Sequence, residues 1–94
     1  MEIESNTMQF PLGQTVITPN AMAQLQAEDV YQALGRHARG DWGELDAEDV
    51  AENDRSITDG CRLLSAYTDR NGVKFWIITE WDRSATTVLL PEDY

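Results

Sequence analysis

The apolar period of this chain changes once, near Arg62, and that change limits the folds open to it. Before Arg62 the apolar residues recur at helical spacing; after it they alternate, or cluster in short β-branched and aromatic runs. RLLSAYTD, DRNG, VKFWIITEWD, RS and ATTVLLP read in turn as strand, turn, strand, turn and strand. Asn71-Gly72 offers the positive-φ positions that a tight hairpin requires. A three-stranded antiparallel meander is therefore predicted from Arg62 to Pro91.

Ahead of it the sequence predicts short helices. Thr18-Pro19 is a helix start, with threonine as the cap and proline where its missing N–H costs nothing. Met22 and Leu25 lie near one stripe of that helix, with Ala21 beside them. Glu28 and Asp29 open a second helix at the positive end of its dipole; Val30, Tyr31 and Leu34 form its inward stripe, and Gly40 ends it. Trp42 sits in a loop but has the character of a buried residue. Asp46 caps a third helix running to about Arg55, with Asp49 in the reciprocal place of a capping box. Gly60 closes that segment. QTVIT (Gln14–Thr18) is β-branched and is a candidate for one extra short strand.

Helices followed by antiparallel strands predict an α+β fold, with the helices packed on one face of the sheet. The predicted organisation is a loose arm over residues 1–13 and a single domain over residues 14–94. One cysteine, Cys61, allows no intrachain disulfide, and the N-terminus lacks the basic and apolar regions of a secretory signal. A cytoplasmic location is the expectation. No apolar run approaches the ~20 residues of a membrane span.

Seventeen acids against seven bases give a formal charge of −10, and only one of those bases is a lysine. Such a charge disfavours nucleic acid or an anionic membrane as a direct partner and favours a basic protein surface. The acids concentrate between Asp41 and Asp59, where eight of them face the single base Arg55. Glu48, Asp49 and Glu52 share one helix face, with Ala47, Val50 and Ala51 expected on the other. Glu48 and Glu52 repel at i, i+4, and Arg55 is placed to relieve Glu52. Duplex DNA carries one negative charge per ~1.7 Å of axis, so a dense carboxylate face can compete for a DNA-binding groove. Asp41, Glu44, Glu48, Asp49 and Glu52 are the candidate partner-binding acids; the plain alternative is a solvated helix face.

Two further features invite a functional reading. His37 stands between Arg36 and Arg39, near Asp41, and could serve a small ribonuclease-like toxin as a general acid or base. There is no second histidine to complete such a pair, and cations at a helix C-terminus are expected on structural grounds alone. The middle strand, in turn, carries large apolar groups on both sides: Phe75, Ile77, Thr79 and Trp81 on one, Lys74, Trp76, Ile78 and Glu80 on the other. Since helices cover only one face, Trp76, Ile78 and Trp81 become candidates for a partner or homodimer contact, unless the chain's own termini cover them. No metal-ligand spacing, phosphate loop or nucleophile elbow occurs, so no cofactor or metal is expected.

The stretches VITPNA, RHARGDWGELDAEDVAEND and RLLSAYTDRNGVKFWIITEWDRSATTVLLPEDY resemble a family of small bacterial mobile-element proteins. These are described as plasmid-related, and some are associated with type I restriction systems. The resemblance covers about Thr15 to Tyr94 and is most specific in the final segment, where the family pattern carries alanine at the position of Trp81. It implies a setting of mobile elements and host defence, and transfers no site residue. The function expected from residues and resemblance together is a non-enzymatic acidic protein-binding module. In that setting it would act as an anti-restriction or anti-CRISPR inhibitor that mimics DNA toward a nucleic-acid-binding host complex. The His37 toxin and a ligand-free dimeric scaffold are the alternatives.

Overall fold

The computed structural model describes residues 8–94. Its elements are β1 (Gln14–Ile17), α1 (Pro19–Gln24), α2 (Ala27–Ala38), α3 (Ala47–Asp59), β2 (Leu63–Thr68), β3 (Lys74–Thr79) and β4 (Ala85–Leu89), followed by a 3₁₀ turn at Pro91–Asp93. The fold is α+β. The sheet, however, is four-stranded and mixed, in the order β1-β4-β3-β2. β2, β3 and β4 run antiparallel as expected of a meander, while β1 joins β4 in parallel, with Gln14 opposite Ala85 and Ile17 opposite Val88. The meander is present, and the candidate strand at Gln14–Thr18 is β1; what differs from expectation is that its parallel pairing makes the sheet mixed. The physical reason is that β4 would otherwise leave an open edge, which β1 covers through bonds such as Thr18 N–H to the Val88 carbonyl at 3.0 Å.

The helix boundaries follow the local chemistry. Thr18 caps α1 by accepting the Ala21 N–H, and Asp46 caps α3 by accepting the Asp49 N–H at 2.9 Å. α3 continues to Asp59, beyond the expected end near Arg55, because Gly60 adopts φ +73° and returns its N–H to the Ser56 carbonyl. Its inward stripe also differs from expectation. Ala47 and Ala51 are exposed, and the residues that turn inward are Val50, Asn53, Ser56 and Ile57. Asn53 is polar for a reason: its side-chain amide donates to the Leu64 carbonyl at 2.8 Å and accepts the Leu64 N–H at 3.3 Å. It thereby occupies the outer edge of β2, and one residue pair along, Ala66 exchanges bonds with the Trp42 carbonyl and the Glu44 N–H.

The core divides along the inner face of the sheet. At one end, Ala21, Leu25, Val30, Ala33 and Leu34 of the first two helices pack on Tyr67, Phe75, Ile77 and Val88. At the other, Phe10, Leu12, Ala38, Trp42 and Leu63 form a second cluster against Val50 and Ile57. Met22, expected near the buried stripe, is instead exposed. Of the predicted loose arm, residues 1–7 lie outside the described residues, and residues 8–13 are docked: Gln9 N–H bonds the Ala38 carbonyl at 2.7 Å, while Phe10 and Leu12 are buried. Met8, Phe10 and Leu12 alternate in sequence, a period-two signal masked by polar neighbours.

The two hairpin turns also depart from the simple reading. In the first, only Gly72 has positive φ, and the Asp69 carboxylate accepts the N–H groups of Asn71 and Val73. Asp29 of α2 holds this turn from outside by a forked pair with Arg70, and those bonds lower its carboxyl to about 2. In the second, β3 stops at Thr79, so Trp81 lies on the turn, 66% exposed, rather than on the strand. Arg83 adopts φ +60° there. Its guanidinium donates to the carbonyls of Ser56 (2.8 Å), Cys61 (2.6 Å) and Glu80 (3.1 Å) and lies over the Phe10 ring. The clamp ties the end of α3 and the residue after Gly60 to the β3–β4 turn. Arg83→Ala is expected to lower stability by about 2 kcal/mol, from the lost charge-assisted bonds; an unchanged urea midpoint would show the clamp to be dispensable.

Candidate functional site

Seven of the eight acids between Asp41 and Asp59 separate into two groups once their partners are known; the eighth, Asp59, is exposed at the end of α3 and takes part in no ion pair among the described residues. Four are engaged within the molecule. Asp41 pairs with Arg36 at 2.8 Å and accepts the Gly43 N–H, and the guanidinium beside it holds its carboxyl below the usual range. Glu44 accepts the Thr68 hydroxyl, Asp46 caps α3, and Asp54 accepts the Trp42 indole N–H at 2.9 Å. Glu48, Asp49 and Glu52 are exposed and take part in no ion pair among the described residues. The relief of Glu52 expected from Arg55 is not formed. Asp49 is raised above the normal carboxyl range, first by the Asp46 carboxylate, then by partial desolvation and by Glu48 and Glu52. That is the signature of uncompensated like charge.

Of the five predicted binding acids, then, α3 brings Glu48, Asp49 and Glu52 together, while Asp41 and Glu44 are tied to the neighbouring loop and β2. Two of the three, Asp49 and Glu52, also line a groove of about 270 Å³ with Leu45, Asn53, Arg62 and Leu64. Leu64 belongs to the outer face of the sheet, the face without helices. The register places Ala66, Trp76 and Leu89 in one row there, and Leu64, Ile78 and Thr87 in the next. None of these side chains belongs to either core cluster.

This outer face is only partly covered. Tyr94, 72% exposed, meets Trp76 edge-on with ring centroids 5.8 Å apart and accepts a bond from Arg62 at 2.9 Å. Arg62 also pairs with Glu80 at 3.3 Å. Between them Ile78 is buried, while Trp76, Leu64, Ala66 and Thr87 remain half-buried. The predicted trio therefore separates: Trp76 stands on the face, Ile78 is sheltered within it, and Trp81 projects from the turn. Sequence alternation marked Trp76 and Ile78; Leu64 and Leu89 carry the same alternation on the flanking strands and could have been found with the register.

His37 is placed elsewhere. Its ring is fully buried between Phe10 and Trp42, edge-on to each at 5.3 and 5.4 Å. Nδ1 faces the Ser65 hydroxyl, Nε2 lies 2.8 Å from the Thr79 hydroxyl, and Thr79 is 2.7 Å from the Thr86 hydroxyl. The chain of bonds ends at the Leu12 carbonyl, which accepts from Thr86 at 2.7 Å. A carbonyl can only accept, so every donor along the chain is fixed: Thr86 donates to Leu12, Thr79 to Thr86, the Nε2–H to Thr79, and Ser65 to Nδ1. The ring is neutral, and burial together with the Arg83 charge pushes it down to about 3. A side chain so enclosed does not meet a substrate, so the arginine-flanked histidine predicted for a ribonuclease-like site is a core element.

Among the described residues no cluster of three His, Cys, Asp or Glu side chains is arranged to hold a metal ion, and no helix is long and apolar enough to cross a membrane. No family model, curated protein or solved structure matches the chain.

Proposed function

We propose that the protein is a non-enzymatic binding module that engages a cationic protein surface through the carboxylates of α3. The observation that carries this reading is the isolation of Glu48, Asp49 and Glu52, with Asp49 raised by the charges around it. Asp41, Glu44, Asp46 and Asp54 of the same stretch serve as caps or hydrogen-bond acceptors, and these three have no such task. A cationic partner would relieve their mutual repulsion, and that relief is available only on binding. The resemblance to mobile-element proteins selects the partner class to test first: a restriction or CRISPR complex whose DNA groove would receive a carboxylate array in place of phosphates.

The test is competition with duplex DNA for purified type I restriction and CRISPR effector complexes. The native chain is expected to displace DNA, with an affinity that falls steeply as salt rises. The triple change Glu48→Gln, Asp49→Asn, Glu52→Gln is expected to weaken displacement at least ten-fold while raising thermal stability slightly, because like-charge repulsion is removed. Failure to displace DNA from any such complex would remove the DNA-mimic reading. Displacement that survives the triple change would move the site away from α3.

A further inference from the structure

We infer that the outer face of the sheet and the adjoining α3 groove together seat a basic amphipathic helix of a protein partner; this rests on the reading of α3 as a protein-binding face and adds the apolar half of the site. The half-buried Trp76 and Leu64 supply the apolar floor, and Asp49 and Glu52 supply one acidic wall, while the Arg62 that also lines the groove is paired with Glu80. Leu64 borders both, so floor and wall are continuous. A partner element must therefore present apolar groups on one side and cations beside them.

Three arguments favour a helix of another protein. The β2 edge beside the groove is already occupied by Asn53, Trp42 and Glu44, so no strand can add there. Three strands at ~4.8 Å spacing make a floor ~10 Å wide, close to the diameter of a helix with its side chains. A second copy of this chain fits poorly. It would bring another formal charge of −10 and the same acidic wall. The two rows of side chains offer only ~150 Å² of floor against the ~800 Å² per partner of a stable interface, too little to hold two like-charged chains together. Opposite charge along the wall lets so small an apolar floor select a partner.

The test uses the full chain, isotopically labelled, and three synthetic peptides. The first is a 15-residue leucine/lysine peptide with leucines at i, i+3, i+4 and i+7; the second is its scramble; the third is oligolysine of equal charge. The amphipathic peptide is expected to shift the Trp76 indole and Leu64 methyl resonances and to bind at least ten-fold tighter than its scramble. Trp76→Thr, and independently Leu64→Thr, should cut that affinity at least five-fold and leave oligolysine binding unchanged. Equal binding of all three peptides would overturn the inference while leaving the α3 reading intact, since charge alone would then suffice. So would an unbound amphipathic peptide, because the α3 reading stands or falls on DNA competition. A native mass near twice 10.6 kDa that Trp76→Thr halves would make a second copy the occupant, and also overturn it.

Discussion

Gly43→Ala is expected to lower the free energy of unfolding by roughly 3 kcal/mol or more, combining the left-handed penalty with overpacking. Gly43 holds φ +75° where the loop after α2 pairs with β2. A Cβ there would meet the Ala66 carbonyl oxygen and the Tyr67 ring, whose nearest carbon would lie 2.7 Å away. Neither neighbour can retreat easily. Ala66 accepts the Glu44 N–H at 2.8 Å, and Tyr67 donates its hydroxyl to the Asp41 carbonyl at 2.6 Å. Displacing the loop would also pull Trp42 from its cluster. Gly60→Ala is the control, because Gly60 has nearly the same φ, +73°, with nothing within 4 Å of a Cβ. It should cost only about 1 kcal/mol. Equal urea midpoints for the two variants would show that the close approach of Gly43 to β2 has no energetic weight. Since whole domains are stable by only ~5–15 kcal/mol, the Gly43 change should be visible as partial unfolding at moderate temperature.

The second large effect is acid sensitivity carried by His37. Its folded form is depressed to about 3 from an ordinary 6.5. The neutral ring is favoured by the fold, so its stability contribution is complete above pH 6.5 and declines as pH falls toward the folded value, because the unfolded chain takes up the proton first. Stability should therefore drop by roughly 1 kcal/mol per pH unit, or about 3 kcal/mol between pH 6.5 and pH 4. Between pH 6.5 and about pH 5 the one histidine of the chain carries this slope, because ordinary carboxylates titrate near pH 4; below that, acids held low by the fold, such as Asp29, add their own loss. His37→Gln should start less stable at pH 7 and lose little more down to pH 5. A parallel decline in both proteins would place the acid sensitivity elsewhere. The wild-type His37 ring resonance provides an independent reading: it should not titrate above pH 5 while the chain remains folded.

His37 also illustrates how far a sequence can be read. Its neighbours Arg36, Arg39 and Asp41 invite a catalytic interpretation, yet the decisive partners are Ser65, Thr79 and Thr86, from three different strands. Nothing local in the chain announces that a histidine on a helix will meet three hydroxyls across a sheet. The acids of α3 behave in the opposite way. Glu48, Asp49 and Glu52 share a face because of helical period alone, and three-dimensional structure alters only which of their neighbours are already engaged. The outer sheet face lies between these cases. Alternation in β3 put Trp76 and Ile78 on one side, but whether that side is covered depends on Tyr94 and Arg62, which meet over the sheet from distant parts of the chain.

What the sequence determined by itself was local. Thr18-Pro19, Asp46 and Gly60 fix helix ends because a cap needs only neighbouring atoms, and the three C-terminal strands follow from period and turn residues. Tertiary structure decided the rest. It placed β1 in parallel beside β4 and drew Phe10 and Leu12 into the core. It also ended β3 before Trp81 and sealed the β2 edge with Asn53. Each of these depends on bonds between residues far apart in the chain, where the energy comes from satisfying an edge or filling a volume. Residue periodicity records which side chains prefer burial; it does not record what will bury them.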